Sequence, residues 1–533
     1  MNEQEFNLKL NKLNAIGVAL SGETQVEHLV ESILLATIDL VRADAGTLYL
    51  IKDGCLHFEI LLNTRLGLAQ GGSSGVPIHL PPVPLILADG QPNLTNVVAC
   101  AVNEARTINI PDAYSDEDEY DFTGTQRFDQ HFGYYSKSFL SVPMRDHEGN
   151  IIGVLQLINA LNAQNEIEAF TLSDQHLVES LASQAAIALT NRRLIMALQE
   201  LFEGFIKLIN LAIDDKSPYT GGHCQRVPEL TMMLAEAVSR CEEGELAGFK
   251  MSERDRYELK IAGLLHDCGK ITTPVHVVDK ATKLQTIFDR IALIDTRFEV
   301  LLRDLEISLL RGQISEAEYR AGCEQLISDR DFLRQANRGG ESMSDDDVER
   351  IANIAIRRWH PGQTMFSPAA PVSFLSDEER DNLSIRKGTL NRGEREIINR
   401  HIDITIQMLE ALPWPNHLKN VPEYAGGHHE RMDGKGYPRG LKREQMSVQA
   451  RIMGIADVFE ALTAKDRPYK EGMKLSNALQ ILTRMACEQH VDKELLKIFL
   501  REGVWLDYAQ RYLNAHQLDQ VDVARLLEQL EDC

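Results

Sequence analysis

At 533 residues, with 44% apolar and 25% charged side chains, the chain is too long for one ordinary core and has the composition of two or three globular domains. Its net charge of −23 excludes a general nucleic-acid binder, because duplex binding needs Lys and Arg to neutralise phosphates, but admits a small phosphorylated substrate held by local cations or metal. No run approaches the roughly 20 apolar residues of a membrane span, and the start MNEQEFNLKLNKLNAIG lacks a signal-peptide apolar block, so a cytoplasmic protein without DNA or membrane partners is expected. The eight cysteines are scattered without a CxxC pair, which argues for reduced thiols and against a disulfide framework or structural zinc site.

In chain order, apolar spacing predicts a helix near Val26–Leu40. A strand AGTLYLI follows, then CLHFEILLNT after the turn Lys52-Asp53-Gly54. SFLSVPMRD and IIGVLQLINAL flank His147-Glu148-Gly149-Asn150, which reads as a hairpin turn. Residues 1–195 therefore form a first domain mixing antiparallel strands with helices. From 172 to 214 helical spacing continues with only Gly204 to interrupt it, predicting one long connecting helix with a face for self-pairing in a homodimer. Residues 200–533 are almost wholly helical in pattern, an all-α second domain. Within it 286–390 differs, with charge-laced helices, a polar break NRGGESMSDDD and a Pro-rich stretch, and reads as a helical insertion.

The chemistry-bearing residues lie in this second half. His266-Asp267 ends an apolar helical run in IAGLLHDCGK, where a carboxylate is costly unless paired or metal-bound, and Lys270 follows on the same turn. His428-His429 precede a glycine-rich, carboxylate-bearing turn, ERMDGKGYP. Asp457 is framed on both sides by apolar residues in ARIMGIADVFEALTA. A buried Asp calls for a cation or several donors. His223 in YTGGHCQRV and His401 in EREIINRHIDITIQML complete the set. Each alone also fits a bland reading, such as a capped helix end, an inert surface pair or a core histidine. His131, His147, His276 and His360 lie in polar or Pro/Gly-flanked positions, and nothing assigns them to the cluster.

Taken together, His223, His266-Asp267, His401, His428-His429 and Asp457, with HDCGK and HHERMDGKGYP intact, resemble the HD-GYP subgroup of the HD-domain phosphohydrolases. The resemblance covers about residues 200–285 and 390–500. It implies two divalent metal ions, iron or manganese before zinc, since imidazole and carboxylate donors suit such ions. His223, His266, Asp267 and Asp457 would hold the first ion and His401, His428 and His429 the second, with Asp267 bridging. In some members a glutamate four residues before the first histidine helps hold a third metal; Tyr219 stands there, so two ions are expected. Two ions about 3.5–4 Å apart stabilise the attacking and leaving oxygens of an in-line displacement, and Lys270 would neutralise phosphate oxygens. Arg467 and Lys470 in LTAKDRPYK match positions where the family clamps substrate phosphates.

Gly434 and Gly436 are expected to adopt backbone angles other residues avoid. Their loop would serve support and partner contact, a diguanylate cyclase among the partners, with Glu430 and Asp433 steadying the ligands. The implied reaction is hydrolysis of a cyclic dinucleotide, usually cyclic di-GMP, to pGpG or GMP. Two other readings stay open: an inactive receptor for the dinucleotide, and a hydrolase of a hybrid cyclic dinucleotide.

The first half resembles a GAF domain through TINIPDAYSDEDEYDF, SFLSVPMRDHEGNIIGVLQLINA and FTLSDQ. The signatures of cyclic-nucleotide-binding GAF domains are altered to Asn159-Ala160 and Asp174-Gln175, which leaves a small-molecule ligand, or dimerisation alone, as its expected role. Neither Cys55 nor Cys100 has the context of a chromophore attachment site.

Overall fold

The computed structural model describes residues 15–17, 25–115, 120–216, 222–340, 342–360, 370–464 and 472–533. Tyr219, Gly221, Arg467 and Lys470 lie outside the described residues. The chain divides into two compact units, 1–203 and 204–533.

In the first unit a helix α1 (Val26–Val41) precedes strands β1 (Ala43–Lys52), β2 (Cys55–Asn63), β3 (Leu68–Gly71) and β4 (Val83–Pro84). Helix α2 (Val97–Asn103), β5 (Ile108–Ile110), α3 (Thr123–Phe132), β6 (Phe139–Arg145), β7 (Ile151–Leu161) and β8 (Ile167–Glu168) follow. The sheet order is β3-β2-β1-β7-β6-β5, with β4 on β2 and β8 on β7, and every pairing is antiparallel. The tight turn from β1 to β2 places Asp53 and Gly54 at positive φ (50° and 74°), the mirror-image turn that matches strand twist. At the hairpin from β6 to β7, Asp146 accepts from the backbone N–H groups of Glu148 and Asn150.

Central β1 is buried over its first eight residues. On one face its Leu48 and Leu50 meet Ile33 and Leu34 of α1 and Val178, Leu181 and Ala185 of the next helix, α4 (Leu172–Lys216). Each such aliphatic side chain removed from water contributes about 1.5–3 kcal/mol. The opposite face bears a second apolar group, Tyr49, Leu56, Val98 and Val154. A cavity of about 440 Å³ also opens there, lined by Tyr49, Phe58, Phe122, Phe128 and Tyr134 together with Gln156 and Ser136.

Helix α4 is continuous over 45 residues. Among the described residues no helix is long and apolar enough to cross a membrane.

Among the described residues the second unit is largely helical, with a two-residue ladder between Arg358–Trp359 and Val372–Ser373. Helices α5 (His223–Arg240) and α6 (Glu253–Leu265) come first, and a reciprocal Ser252/Asp255 capping box starts α6. Next come α7 (Ile291–Leu310), α8 (Glu316–Asn337), α9 (Asp345–Ala355) and α10 (Asp377–Leu383). These four share an apolar core of their own, from Leu284 through Phe298, Leu333 and Ile351 to Leu383. The chain then returns through α11 (Arg392–Asn399), α12 (His401–Glu410), α13 (Val421–Gly426), α14 (Val448–Thr463) and α15 (Leu475–Cys487). Helices α16 (Lys493–Arg501), α17 (Val504–Tyr512) and α18 (Val523–Asp532) close it.

Two expectations are corrected here. Cys487 and Cys533 form a disulfide, with Cα atoms 5.4 Å apart across a sequence separation of 46, because α18 returns against α15. The six other cysteines are free. Gly434 has the expected positive φ of 78°, whereas Gly436 does not. Gly436 is required instead by close approach, since a methyl group there would fall 2.4 Å from the Arg431 nitrogen.

Candidate metal centre

Seven side chains singled out in the sequence converge inside the second unit. His223 opens α5, His266 and Asp267 follow the last residue of α6, and His401 opens α12. His428 and His429 follow α13, and Asp457 lies within α14. Glycine allows the close packing that gathers them. A methyl group on Gly269 would fall 2.0 Å from the His401 carbonyl oxygen, and the Gly269 N–H donates to Thr405 Oγ1 at 2.9 Å. The short helical turn after Asp267 is thereby laid flat on α12. Similarly, a methyl group on Gly454 of α14 would fall 3.1 Å from the His428 carbonyl oxygen.

Three of the imidazoles are oriented alike. The Nδ1 atoms of His266, His401 and His428 lie 2.7, 2.5 and 2.6 Å from the carbonyl oxygens of Gly263, Ile398 and Ala425, each three residues earlier. Donation of Nδ1–H to these carbonyls fixes the tautomer and leaves the Nε2 lone pair facing the cluster. At His401 and His428 that Nε2 is buried without a hydrogen-bond partner among the described residues, as is Asp267 Oδ1. Such groups are expensive to bury unless something coordinates them.

Asp267 stands between two groups of ligands. Its Oδ2 is 3.1 Å from His223 Nε2 and 3.2 Å from His266 Nε2, while its Oδ1 is 3.2 Å from His401 Nε2. Asp457 reaches His223 Nε2 at 3.3 Å and His429 Nδ1 at 4.0 Å. Three sets have donor atoms within 4.8 Å of one another: His223, His266 and Asp457; His401, His428 and His429; and His266, Asp267 and His428. Neither His131, His147, His276 nor His360 belongs to any of them.

The electrostatics call for positive charge at this point. Burial alone would raise the Asp267 carboxyl, but Lys270 Nζ at 2.5 Å, with His266 and His223, holds it well below the usual carboxylate range. Asp457 is likewise held low against its burial, chiefly by the His223 hydrogen bond. Burial works against a charged imidazole at His223, yet its bonds to Asp267, Asp457 and Glu460 push it well above its ordinary value. Burial and neighbouring imidazoles push His428 well below, and burial takes His429 down to about 4. Ionised carboxylates beside the neutral imidazoles of His428 and His429 are donors suited to a divalent transition-metal ion, which would displace the proton that the carboxylates hold on His223, so the residues fit such a cofactor.

Sequence reasoning missed two participants. Glu460 Oε2 lies 2.5 Å from His223 Nδ1, and Arg226 donates to Glu460 Oε1 at 2.8 Å. The carboxylate thus orients His223 and the guanidinium neutralises the carboxylate. The available signal was spacing: Asp457 and Glu460, like His223 and Arg226, are three apart on helices and so share a face. Glu430 accepts from the Arg439 and Leu441 backbones, bracing the following loop. Beside His429 and Asp457 opens a cavity of about 530 Å³, where the Tyr437 ring stacks on His429 at 4.9 Å.

A GAF-domain model matches residues 25–189, and two HD-domain models match 220–319 and 378–495. His223, His266 and Asp267 fall in the first HD match and the other four side chains in the second, so one cluster needs both. The chain joins a GAF domain to an HD domain. Among curated relatives, a 3'3'-cGAMP-specific phosphodiesterase of Vibrio cholerae is 38% identical over 270 residues, covering 51% of this chain and 32% of that one. A second cGAMP-specific phosphodiesterase from Vibrio cholerae is 37% identical over 121 residues, 22% of this chain and 26% of the relative. A cyclic di-GMP phosphodiesterase of Pseudomonas aeruginosa is 36% identical over 122 residues, 23% of this chain and 28% of the relative. The chain thus spans only about a quarter to a third of the length of these relatives.

Proposed function

We propose that the HD domain is a metal-dependent phosphodiesterase acting on a cyclic dinucleotide, most simply cyclic di-GMP, to give pGpG or GMP. The observation that carries this reading is the set of buried, inward-facing Nε2 and Oδ1 atoms of His401, His428 and Asp267 that have no hydrogen-bond partner among the described residues. His223, His266, Asp267 and Asp457 would hold one divalent ion and His401, His428 and His429 the other. Bound ions, iron, manganese or zinc, would supply Lewis-acid stabilisation of the attacking and leaving oxygens in an in-line displacement.

The protein's own groups do the positioning. Asp267, with one oxygen toward each set of imidazoles, fixes the separation of the two halves. Lys270, paired with Asp267 and held protonated against its burial by Asp267 and Asp457, sets positive charge where a phosphoryl oxygen arrives. Arg467 and Lys470 are proposed as further phosphate contacts.

The relatives' names divide between cyclic di-GMP and 3'3'-cGAMP, so the test offers both. Purified protein is loaded in turn with iron, manganese and zinc and assayed on each dinucleotide, with metal content measured in parallel. The reading requires about two ions per chain and metal-dependent release of a linear product. Tight dinucleotide binding without turnover under every metal would make the domain a receptor instead. In the GAF domain, the aromatic cavity with Gln156 and Ser136 at its wall is proposed to take a small regulatory ligand.

A further inference from the structure

The cavity beside His429 and Asp457 has more positive charge than the cluster requires. Four cationic side chains line it: Lys387, Arg431, Lys435 and Arg484. Two of these share one carboxylate, since Asp433 lies 3.5 Å from Arg431 Nε and 3.2 Å from Lys435 Nζ. Lys387 and Arg484 have no ion-pair partner among the described residues, in a chain whose net charge is −23. The cavity wall also carries apolar side chains, Val458 and Leu462 from α14 and Ile481 and Met485 from α15. At about 530 Å³ the space is far larger than one phosphate and falls in the usual range for small-molecule sites.

Lys387 is brought there by the insertion. Its chain neighbours are tied back: the Gly388 N–H donates to the Gly340 carbonyl at 3.0 Å, and Thr389 Oγ1 donates to the Lys280 carbonyl at 2.9 Å. Arg395 Nη2 donates to the carbonyl of Lys387 itself at 3.3 Å. The lysine backbone is therefore fixed between the insertion's core and α11. Arg484 approaches from α15, on the same face as Ile481.

We infer that Lys387 and Arg484 hold the second, uncleaved phosphate of a two-phosphate substrate while the first lies at the histidine–aspartate cluster. This rests on the phosphodiesterase reading above. It makes the pair a determinant of specificity, and gives the insertion a role in completing the substrate cleft. A single-phosphate diester has no group for these cations, whereas a cyclic dinucleotide has one held at fixed distance by its ring.

The test compares full-length, metal-loaded wild type with K387A, R484A and the double variant on two substrates, cyclic di-GMP and bis(p-nitrophenyl) phosphate. Each charge-assisted contact is expected to be worth about tenfold. The dinucleotide KM should rise by about that factor in each single variant. The ratio of dinucleotide to single-phosphate kcat/KM should fall by more than tenfold in the double variant. R484K, which keeps the charge, should recover most of the loss. A double variant with an unchanged ratio overturns the inference while leaving the phosphodiesterase assignment intact. Wild type that cleaves the single-phosphate diester but no cyclic dinucleotide removes the substrate reading, and this inference with it.

Discussion

At Asp267 one carboxylate meets His223, His266, His401 and Lys270, so its replacement should be the least tolerated change in the molecule. Asp267→Ala is expected to lose both turnover and bound metal; unchanged metal content would defeat its assignment as a bridge. Glu460→Gln should act more mildly, weakening metal affinity by about 10–100-fold through loss of His223 orientation, as measured by competition with a metal chelator. Lys283 offers a test unrelated to the cluster. It is buried, donates to the Leu383 carbonyl at 2.9 Å, and burial pushes its amine down to about 8 despite the opposing influence of Asp347. Its unfolded-state value is about 10.4, so between these limits the unfolded chain binds more protons and stability rises with pH. Below pH 8 the cost of the buried charge is fully present. The wild-type melting temperature should therefore gain on that of Lys283→Met between pH 8 and pH 10, and parallel curves for the two proteins would refute this.

At the level of elements, the decisive contacts are those a side chain would obstruct. Gly269→Ala places a methyl group against the His401 carbonyl, so the turn after Asp267 must lift from α12 and separate two ligand positions. Lower thermal stability together with reduced metal content is expected. Gly204→Ala is the contrast. Among the described residues nothing lies within 4 Å of a methyl group there, and the residue is inside a helix, so a gain of about 0.5–1 kcal/mol should follow. Both can be read from denaturant unfolding, and a stabilised Gly269→Ala would show that the packing account is wrong. These cases also mark what the sequence could convey. Long helix α4, the strands around Lys52-Asp53-Gly54 and the hairpin at 147–150 are set by local periodicity and turn chemistry, and were legible. So were the histidines and aspartates that converge, because their motifs bring residue type and spacing together. Glu460 and Arg226 were not, since Glu460 matters by facing His223 from a different helix and Arg226 by pairing with Glu460. The Cys487–Cys533 bond likewise depends on where α18 returns, and the reason for Gly436 depends on a neighbouring chain segment.

For the whole molecule, the outstanding feature is the exposed apolar stripe of α4. Leu194, Leu198, Leu201, Phe205 and Leu208 follow one another at intervals of four, three, four and three residues, and all are at least half exposed. That alternation matches the spacing expected of a two-stranded coiled coil, in which each side chain would pack between residues of a facing helix. A second copy of the same helix is self-complementary in just this way, so a parallel homodimer is the expected state. Burial of ten such side chains across the pair would remove a face too apolar to leave in water. Introducing charge into the seam should undo it: Leu198→Glu with Leu201→Glu is expected to yield monomers by light scattering, whereas wild type stays dimeric at micromolar concentration. A monomeric wild type would rule out self-pairing. If the helix also carries regulation from the GAF domain, the charged variant will change turnover or metal occupancy along with its mass. Dimer loss with wild-type kinetics would instead make α4 a spacer, leaving the HD domain to act on its own.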